Sequence, residues 1–312
     1  MSSPKGHTGR RQGGAARSRG RASESREIGR RWILAVGALV ALALAGVAAV
    51  SLSGNGGGDT PSAWATLGTA DVHSLAFDPD DSAHLYFGHH GGLLESRDGG
   101  LSWRAATLAG GDAMNVRTTA GGRVQIAGHD LYVESIDRGG SWQDVPNDLP
   151  GLDLHAFAVD PADPDHAWTF AAGFGLFETS DGGRRWELRQ AGNWAALTAY
   201  RQDERTILVA VGPDGLVSSD DSGASWEPLA YPGAPLAGGI AAASDGSAMY
   251  AATSAGLKLS RDGGRAWEAT GFDALVLSVA VTPDNPDAVA VVDEATRFYR
   301  SGDGGKSWPG GP

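Results

Sequence analysis

The chain repeats a pattern of short apolar runs, four to a period of about 41 residues, separated by turns rich in glycine, aspartate and proline. In the first period these runs cover residues 72–79, 84–90, 92–96 and 102–107. Their length and alternation predict β-strands, because the repeating region lacks the spacing of amphipathic helices. Four antiparallel strands in one such period are typical of a β-propeller blade.

An eight-residue turn recurs at the end of the third strand of each period. Its six copies are SRDGGLSW, SIDRGGSW, TSDGGRRW, SDDSGASW, SRDGGRAW and SGDGGKSW, and their aspartates are 39, 44, 40, 41 and 41 residues apart. The carboxylate can accept hydrogen bonds from turn N–H groups, and the tryptophan can bury its ring against a neighbouring sheet. We therefore expect a structural role for the six aspartates, which are Asp98, Asp137, Asp181, Asp221, Asp262 and Asp303.

The two ends of the repeating region predict how the ring closes. The last turn ends at Trp308, so the sixth period has no outer strand of its own. Residues 63–68, AWATLG, resemble the strands that follow the other turns. We expect an all-β, six-bladed β-propeller over 63–312, in which residues 63–68 complete the sixth blade and leave few free strand edges.

An uncharged apolar run at 32–50 precedes the repeats. As a helix these 19 residues would span about 28 Å, which is close to the thickness of bilayer hydrocarbon. Arg30 and Arg31 lie just before it, so the positive-inside rule predicts a single-pass protein of the cell membrane with its propeller outside the cytoplasm. We expect a disordered cytoplasmic tail at 1–31, a transmembrane anchor at 32–52 and a glycine-rich linker at 53–62. The alternative for the anchor is a signal peptide with a long basic start.

Charge is unevenly distributed along the chain. Nine Lys/Arg and two Glu in residues 1–31 give +7, whereas 16 Lys/Arg and 35 Asp/Glu in the remainder give −19. An acidic body of this kind argues against nucleic acid as a partner. The chain has no cysteine, which excludes disulfides, thiolate-bound zinc and thiol catalysis.

Most histidines fall at one end of the predicted propeller. Strand direction alternates within a blade, so the eight-residue turns lie at one end, and the starts of first strands and the turns after second strands lie at the other. Five of the eight histidines belong to that second end, namely His73, His89, His90, His129 and His155. With Asn115 and Trp194 they form a candidate ligand site, for a glycan or for a divalent metal at His90, His129 and His155. The alternative for each histidine is a hydrogen bond to loop backbone.

The turn pattern Ser/Thr-x-Asp-x-Gly-x-x-Trp resembles the Asp-box of BNR-repeat β-propellers. FGHHGG (87–92), IAGHD (126–130) and HAFAVDPADP (155–164) are also similar to segments of small bacterial, membrane-anchored BNR-repeat proteins that carry a glycosyl hydrolase label. The resemblance implies a propeller and a sialidase-like fold. The Arg-Ile-Pro motif and the arginine cluster of sialidases are absent from this sequence, which puts sialidase chemistry in doubt.

Three functions remain open at this point. The first is binding of a ligand at the histidine-bearing end. The second is glycoside hydrolysis by two carboxylates about 5–5.5 or 6.5–9.5 Å apart at the same end. Weak candidates for that pair are Asp112, Asp130, Asp214, Asp293 and Glu294. The third is a scaffold that docks a partner protein, with no small-molecule site.

Overall fold

The protein is described by a computed structural model that covers residues 61–312, apart from residues 213 and 284 and the side chain of residue 109. The described part contains 24 strands in six antiparallel four-stranded sheets, as the repeats predict. Within it, no helix has the length and hydropathy that a bilayer crossing requires. The expected tail at 1–31, anchor at 32–52 and nearly all of the linker at 53–62 lie outside the described residues.

The first three blades follow one another along the chain. Blade 1 contains β2 (Ser74–Asp78), β3 (Asp81–His89), β4 (Gly92–Ser96) and β5 (Arg104–Ala109). Blade 2 contains β6 (Asp112–Thr119), β7 (Arg123–His129), β8 (Leu131–Ser135) and β9 (Gln143–Asp144). Blade 3 contains β10 (Leu154–Asp160), β11 (Asp163–Ala171), β12 (Gly175–Thr179) and β13 (Glu187–Gln190).

The remaining blades complete the ring. Blade 4 contains β14 (Ala196–Gln202), β15 (Arg205–Gly212), β16 (Gly215–Ser219) and β17 (Glu227–Pro228). Blade 5 contains β18 (Leu236–Ala242), β19 (Met249–Thr253), β20 (Gly256–Ser260) and β21 (Glu268–Ala269). Blade 6 contains β22 (Val276–Thr282), β23 (Asn285–Asp293) and β24 (Arg297–Ser301), with β1 (Ala65–Thr66) as its outer strand.

The strand β1 closes the ring as the sequence predicts. Ala65 pairs with Phe298 in an antiparallel register, and the N–H of Trp64 donates to the carbonyl of Phe298 at 2.8 Å. The side chain of Leu67 is 9% exposed and packs in the cluster between blades 6 and 1. The start of the propeller therefore covers the edge that β24 would otherwise leave free.

Six buried apolar clusters hold the blades together, one between each pair of neighbours. Neighbouring first strands contact one another around the ring and line a central channel. Because each blade buries its two faces against different neighbours, the stability of the ring is shared among all six interfaces.

Each Asp-box forms a closed hydrogen-bonded turn. In the first, Ser96 Oγ donates to Asp98 Oδ1 at 2.8 Å, and the same Oδ1 accepts the N–H of Ser102 at 2.9 Å. A Cβ at Gly100, whose φ is +102°, would clash with the ring of Phe298. Hydrogen bonds within the turn therefore explain the repeated Ser and Asp, while Gly100 is required by its positive φ and by the space that Phe298 of blade 6 occupies.

The box tryptophans make two kinds of contact. Three donate their indole N–H to a carbonyl of their own turn, namely Trp103, Trp186 and Trp308. The other three donate to the preceding blade: Trp142 to Thr107, Trp226 to Gln190 and Trp267 to Ala230. The boxes thus stabilise both the turns and the contacts between blades.

Candidate functional site

The end of the propeller opposite the Asp-boxes gathers four of the five predicted histidines. We call this end the histidine face; it comprises the connections that lead into the first strands and those between second and third strands. Two groups of side chains on it place potential metal-binding atoms within 4.8 Å of one another. They are Asp71, His73 and His90 in blade 1, and His129, Asp153 and His155 at the border of blades 2 and 3.

The first group, which we call triad A, consists of Asp71, His73 and His90. His73 Nε2 lies 3.1 Å from Asp71 Oδ2 and 3.2 Å from His90 Nδ1. His90 Nδ1 also contacts Asp71 Oδ2, and the N–H of His90 donates to the same oxygen at 2.9 Å. The three side chains therefore direct one atom each toward a common point.

The second group, triad B, consists of His129, Asp153 and His155. His129 Nε2 lies 3.0 Å from Asp153 Oδ1 and 3.3 Å from His155 Nε2. His155 Nε2 lies 2.8 Å from the same Asp153 oxygen. A β-bridge between His129 and Asp153 holds the backbones of the two blades together at this point. Triad B thus repeats the composition and the spacing of triad A.

Asp112 lies between the two triads. Its Oδ2 is 2.6 Å from His129 Nδ1 and 3.5 Å from His90 Nε2, which are the ring nitrogens that face away from the two common points. Its Oδ1 is 3.2 Å from His73 Nε2, yet this buried oxygen accepts no hydrogen bond within the described residues. One carboxylate therefore contacts histidines of both triads and retains an unused acceptor atom.

Burial and the neighbouring Asp112 carboxylate shift the pKa of His73 in opposite directions. Burial lowers the pKa of His73, the Asp112 carboxylate opposes that effect, and the neighbouring His90 adds to it. The net effect favours the neutral imidazole at neutral pH, in which one ring nitrogen keeps a free lone pair.

The other predicted ligand residues have separate surroundings. His89 turns away from the triads: its ring stacks on Phe87 with centroids 6.2 Å apart, and its Nδ1 accepts the N–H of Gly91. Asn115 is buried and donates to the carbonyl of Leu154 at 3.1 Å, so it connects blades 2 and 3. Trp194 is buried in the cluster between blades 3 and 4.

The weak carboxylate candidates are dispersed. Asp293 is 1% exposed and its oxygens accept hydrogen bonds from Arg297 and from Tyr299, which ties it to the blade. Asp130, Asp214 and Glu294 lie in turns of blades 2, 4 and 6, which are not neighbours in the ring. Asp112 lies in the network described above.

Asp71 and Asp153 are the site residues that the sequence interpretation missed. They occupy the same place in their blades as Asp112, since the three follow one another at intervals of 41 residues. Two of them also belong to matching Asp-x-His segments, DVH at 71–73 and DLH at 153–155. The period that identified the Asp-boxes would therefore have identified this second set of aspartates.

Charge on the histidine face has one sign. Its connections contain no lysine or arginine within residues 61–312. They contain six acidic residues on this face: Asp71, Asp130, Asp153, Asp214, Asp273 and Glu294. Asp148 belongs to one of these connections but accepts the N–H of Trp186 beside the third Asp-box. The six Asp-box turns at the other end contain seven aspartates, and these are balanced by seven basic residues: Arg97, Arg138, Arg184, Arg185, Arg261, Arg265 and Lys306. A cation is therefore attracted to the histidine face in preference to the box end.

Arg117 lies in the central channel and not on the histidine face. Its guanidinium donates to the carbonyls of Val116 and Leu197, and burial lowers its pKa to about 10. No carboxylate of the described residues forms a salt bridge with it. This single arginine does not form the cluster that sialidases use.

The fold and the six Asp-boxes define the protein as a six-bladed, BNR-type β-propeller. A model of the family described as photosynthesis system II assembly factor YCF48 matches residues 148–308, about half of the 312-residue chain. The chain belongs to this family. Blades 3 to 6 contribute nearly all of the matched residues.

Solved structures of related shape include members of the same family. "YCF48 bound to D1 peptide" is 22% identical, with a TM-score of 0.47, and the match covers 80% of this chain and 82% of that one. "YCF48 from Cyanidioschyzon merolae" is 20% identical, with a TM-score of 0.47 and coverage of 80% and 88%. A GH74 xyloglucanase from Xanthomonas campestris is 21% identical, with a TM-score of 0.48 and coverage of 74% and 37%.

A search of curated proteins gave no match. The expected BNR-type propeller is confirmed by the fold and the family. The likeness to sialidases in particular finds no support in these comparisons.

Proposed function

We propose that this protein is a scaffold that binds a partner polypeptide, in the manner of an assembly factor. Its membership of the YCF48 family is the observation that carries the proposal. A solved structure of that family is described as bound to a D1 peptide, so a polypeptide is a ligand class that a member of the family binds. The rigid ring of six interlocked blades fits a docking role, because it offers preformed surfaces at both ends.

The histidine face is the docking surface that we favour. Its connections carry acidic residues and no basic ones, so a partner segment with lysine or arginine is attracted there. Phe174, in the turn between β11 and β12, is 48% exposed and supplies an aromatic side chain of the kind that anchors protein interfaces. Asp130 lies in the corresponding turn of blade 2. We therefore expect a basic segment to bind across blades 2 and 3.

Site-specific photocrosslinking of the full-length chain in its native cells tests this function. A crosslinking residue at position 130 or 174 should give discrete polypeptide adducts, which higher salt should weaken. The matched control is position 136, an exposed isoleucine in the second Asp-box at the opposite end. Adducts from position 136 alone, or none from any of the three positions, would overturn the docking proposal. So would turnover of a glycan by the purified chain.

Attachment to the membrane is part of the same proposal. The uncharged run at 32–50 and the basic residues before it support an anchor that presents the propeller outside the cytoplasm. Membranes washed with high salt should retain the full-length chain. Recovery of a soluble form that begins near residue 51 would instead indicate a cleaved signal peptide.

A further inference from the structure

We propose that the histidine face binds two divalent transition-metal ions of the zinc class, one in triad A and one in triad B, coupled through Asp112. The first support is the spacing of the donor atoms. Ligands bound to a tetrahedral ion at about 2.0–2.2 Å are separated by about 3.3–3.6 Å. The two imidazole pairs lie at 3.2 Å in triad A and 3.3 Å in triad B, close to that separation. The aspartate oxygens lie closer to the imidazoles, so a rotation of the Asp71 and Asp153 side chains would be needed to admit the ions.

The types of donor atom determine the class of ion. Each triad offers two imidazole nitrogens and one carboxylate oxygen. Imidazole suits zinc, copper, iron and nickel, whereas calcium and magnesium prefer sites made of oxygen alone. The chain has no cysteine, so zinc here would have nitrogen and oxygen ligands only. Two imidazoles and a carboxylate form one of the ligand sets found in zinc enzymes that keep an open fourth position.

Asp112 supplies the second, independent support. Histidines that bind a metal through one ring nitrogen usually donate the other N–H to a carboxylate or carbonyl, which fixes the ring and its tautomer. His129 directs Nε2 at the common point of triad B and its Nδ1 at Asp112 Oδ2, 2.6 Å away. His90 directs Nδ1 at the common point of triad A, with Nε2 toward the same oxygen at 3.5 Å. The carboxylate is thus placed to orient one ligand of each ion.

The remaining oxygen of Asp112 makes the two sites unequal. Asp112 Oδ1 is buried, accepts no hydrogen bond within the described residues and lies 3.2 Å from His73 Nε2. It is therefore available as a fourth ligand in triad A, where two carboxylates would neutralise the ion. Triad B has three protein ligands and is more exposed, with 52% of the Asp153 side chain accessible. Its ion would keep a position open for water or for a ligand atom from outside.

Zinc stoichiometry of the full-length chain tests the proposal. The chain is stripped with a chelator, equilibrated with Zn²⁺ and analysed by mass spectrometry of the metal and by calorimetry. We expect two ions per wild-type chain, one for His90→Gln, which removes an imidazole of triad A, one for Asp153→Asn and none for the double variant. Asp112→Asn should weaken binding in triad B by about 10–100-fold, the usual effect of removing a group that orients a ligand, and in triad A by at least as much, since a ligand is lost there. The matched control is His89→Ala, a histidine beside His90 outside both triads, which should keep two ions.

Circular dichroism in chelator establishes that each variant is folded. His90→Gln is chosen for triad A because the His90 side chain is 60% exposed, so its replacement should leave the core undisturbed. If it fails to fold, His73→Gln removes the other imidazole of the same triad. A wild-type chain that retains no more zinc than the double variant would reduce the cluster to a hydrogen-bonded network and overturn the proposal. If the wild-type chain binds only one ion, and each of the two single variants loses it, the assignment of two sites is overturned.

Discussion

His129 Nδ1 lies 2.6 Å from Asp112 Oδ2, and this contact connects two clusters of side chains that belong to different blades. Asp112 is the first residue of β6 and His129 the last of β7, so one antiparallel pair of strands brings them together. His129 in turn meets Asp153 and His155 of blade 3, whereas Asp112 meets His73 and His90 of blade 1. Side chains of three blades therefore meet around this one contact.

Replacement of an Asp-box aspartate should reduce stability and leave the histidine face intact. Asp181 Oδ1 accepts hydrogen bonds from Thr179 Oγ1 and from the N–H groups of Arg184 and Arg185. We expect Asp181→Ala to lower the free energy of unfolding by about 1–3 kcal/mol, as measured by urea denaturation. Asp220→Ala is the control: it removes only an exposed pair with Arg205 and should change stability by less than about 0.5 kcal/mol. Loss of zinc or partner binding in a stable Asp181→Ala chain would contradict a purely structural role.

The serine before the box tryptophan should set the acidity of the box aspartate. Hydrogen bonds led by the one from Ser102 lower the pKa of Asp98 to about 2. A depressed pKa stabilises the fold above the unfolded value near 4, and this stabilisation is lost as pH falls toward 2. We expect Ser102→Ala to raise the pKa of Asp98 in an NMR titration. The boxes of Asp181 and Asp262 have Arg185 and Ala266 at this position and serve as internal controls. An unchanged titration of Asp98 would be evidence against this cause.

His166 should make the free energy of unfolding depend on pH above about 6.5. Its Nε2 lies 2.7 Å from Glu178 Oε1, and this hydrogen bond raises the pKa of His166 although burial opposes it. A raised pKa gives stabilisation that is fully present below about 6.5 and is lost as pH rises through the folded-state pKa. His166→Gln should therefore reduce the loss of unfolding free energy between pH 6 and pH 8. An equal pH dependence of the unfolding free energy in the wild-type and His166→Gln chains would contradict this assignment.

The closing strand should contribute strongly to stability. Leu67→Ala removes a buried side chain between blades 6 and 1 and should cost about 2–3 kcal/mol. Thr66→Ala, at the exposed neighbouring position of β1, should cost less than about 0.5 kcal/mol. Urea denaturation of both chains provides the comparison. Similar free energies of unfolding for Leu67→Ala and Thr66→Ala would mean that β1 contributes little to ring closure.

The fold could be predicted because its signals are local and repeated. The Asp-box residues bond within one turn, so their spacing alone revealed six blades, and residues 63–68 matched the missing strand. The convergence of His73, His90, His129 and His155 followed from strand direction. Finer placement depended on the direction of single side chains and on contacts between neighbouring strands. His89 stacks on Phe87 because side chains two residues apart lie on the same side of a strand, and Asp293 is bound by Arg297 and Tyr299 of the next strand.

Anomalous X-ray diffraction at the zinc edge, from crystals of the full-length chain grown with Zn²⁺, tests the metal assignment most directly. Two peaks on the histidine face are predicted, one among Asp71, His73 and His90 and the other among His129, Asp153 and His155, with Asp112 between them. No peak there, or zinc bound at the Asp-box end alone, would contradict the account.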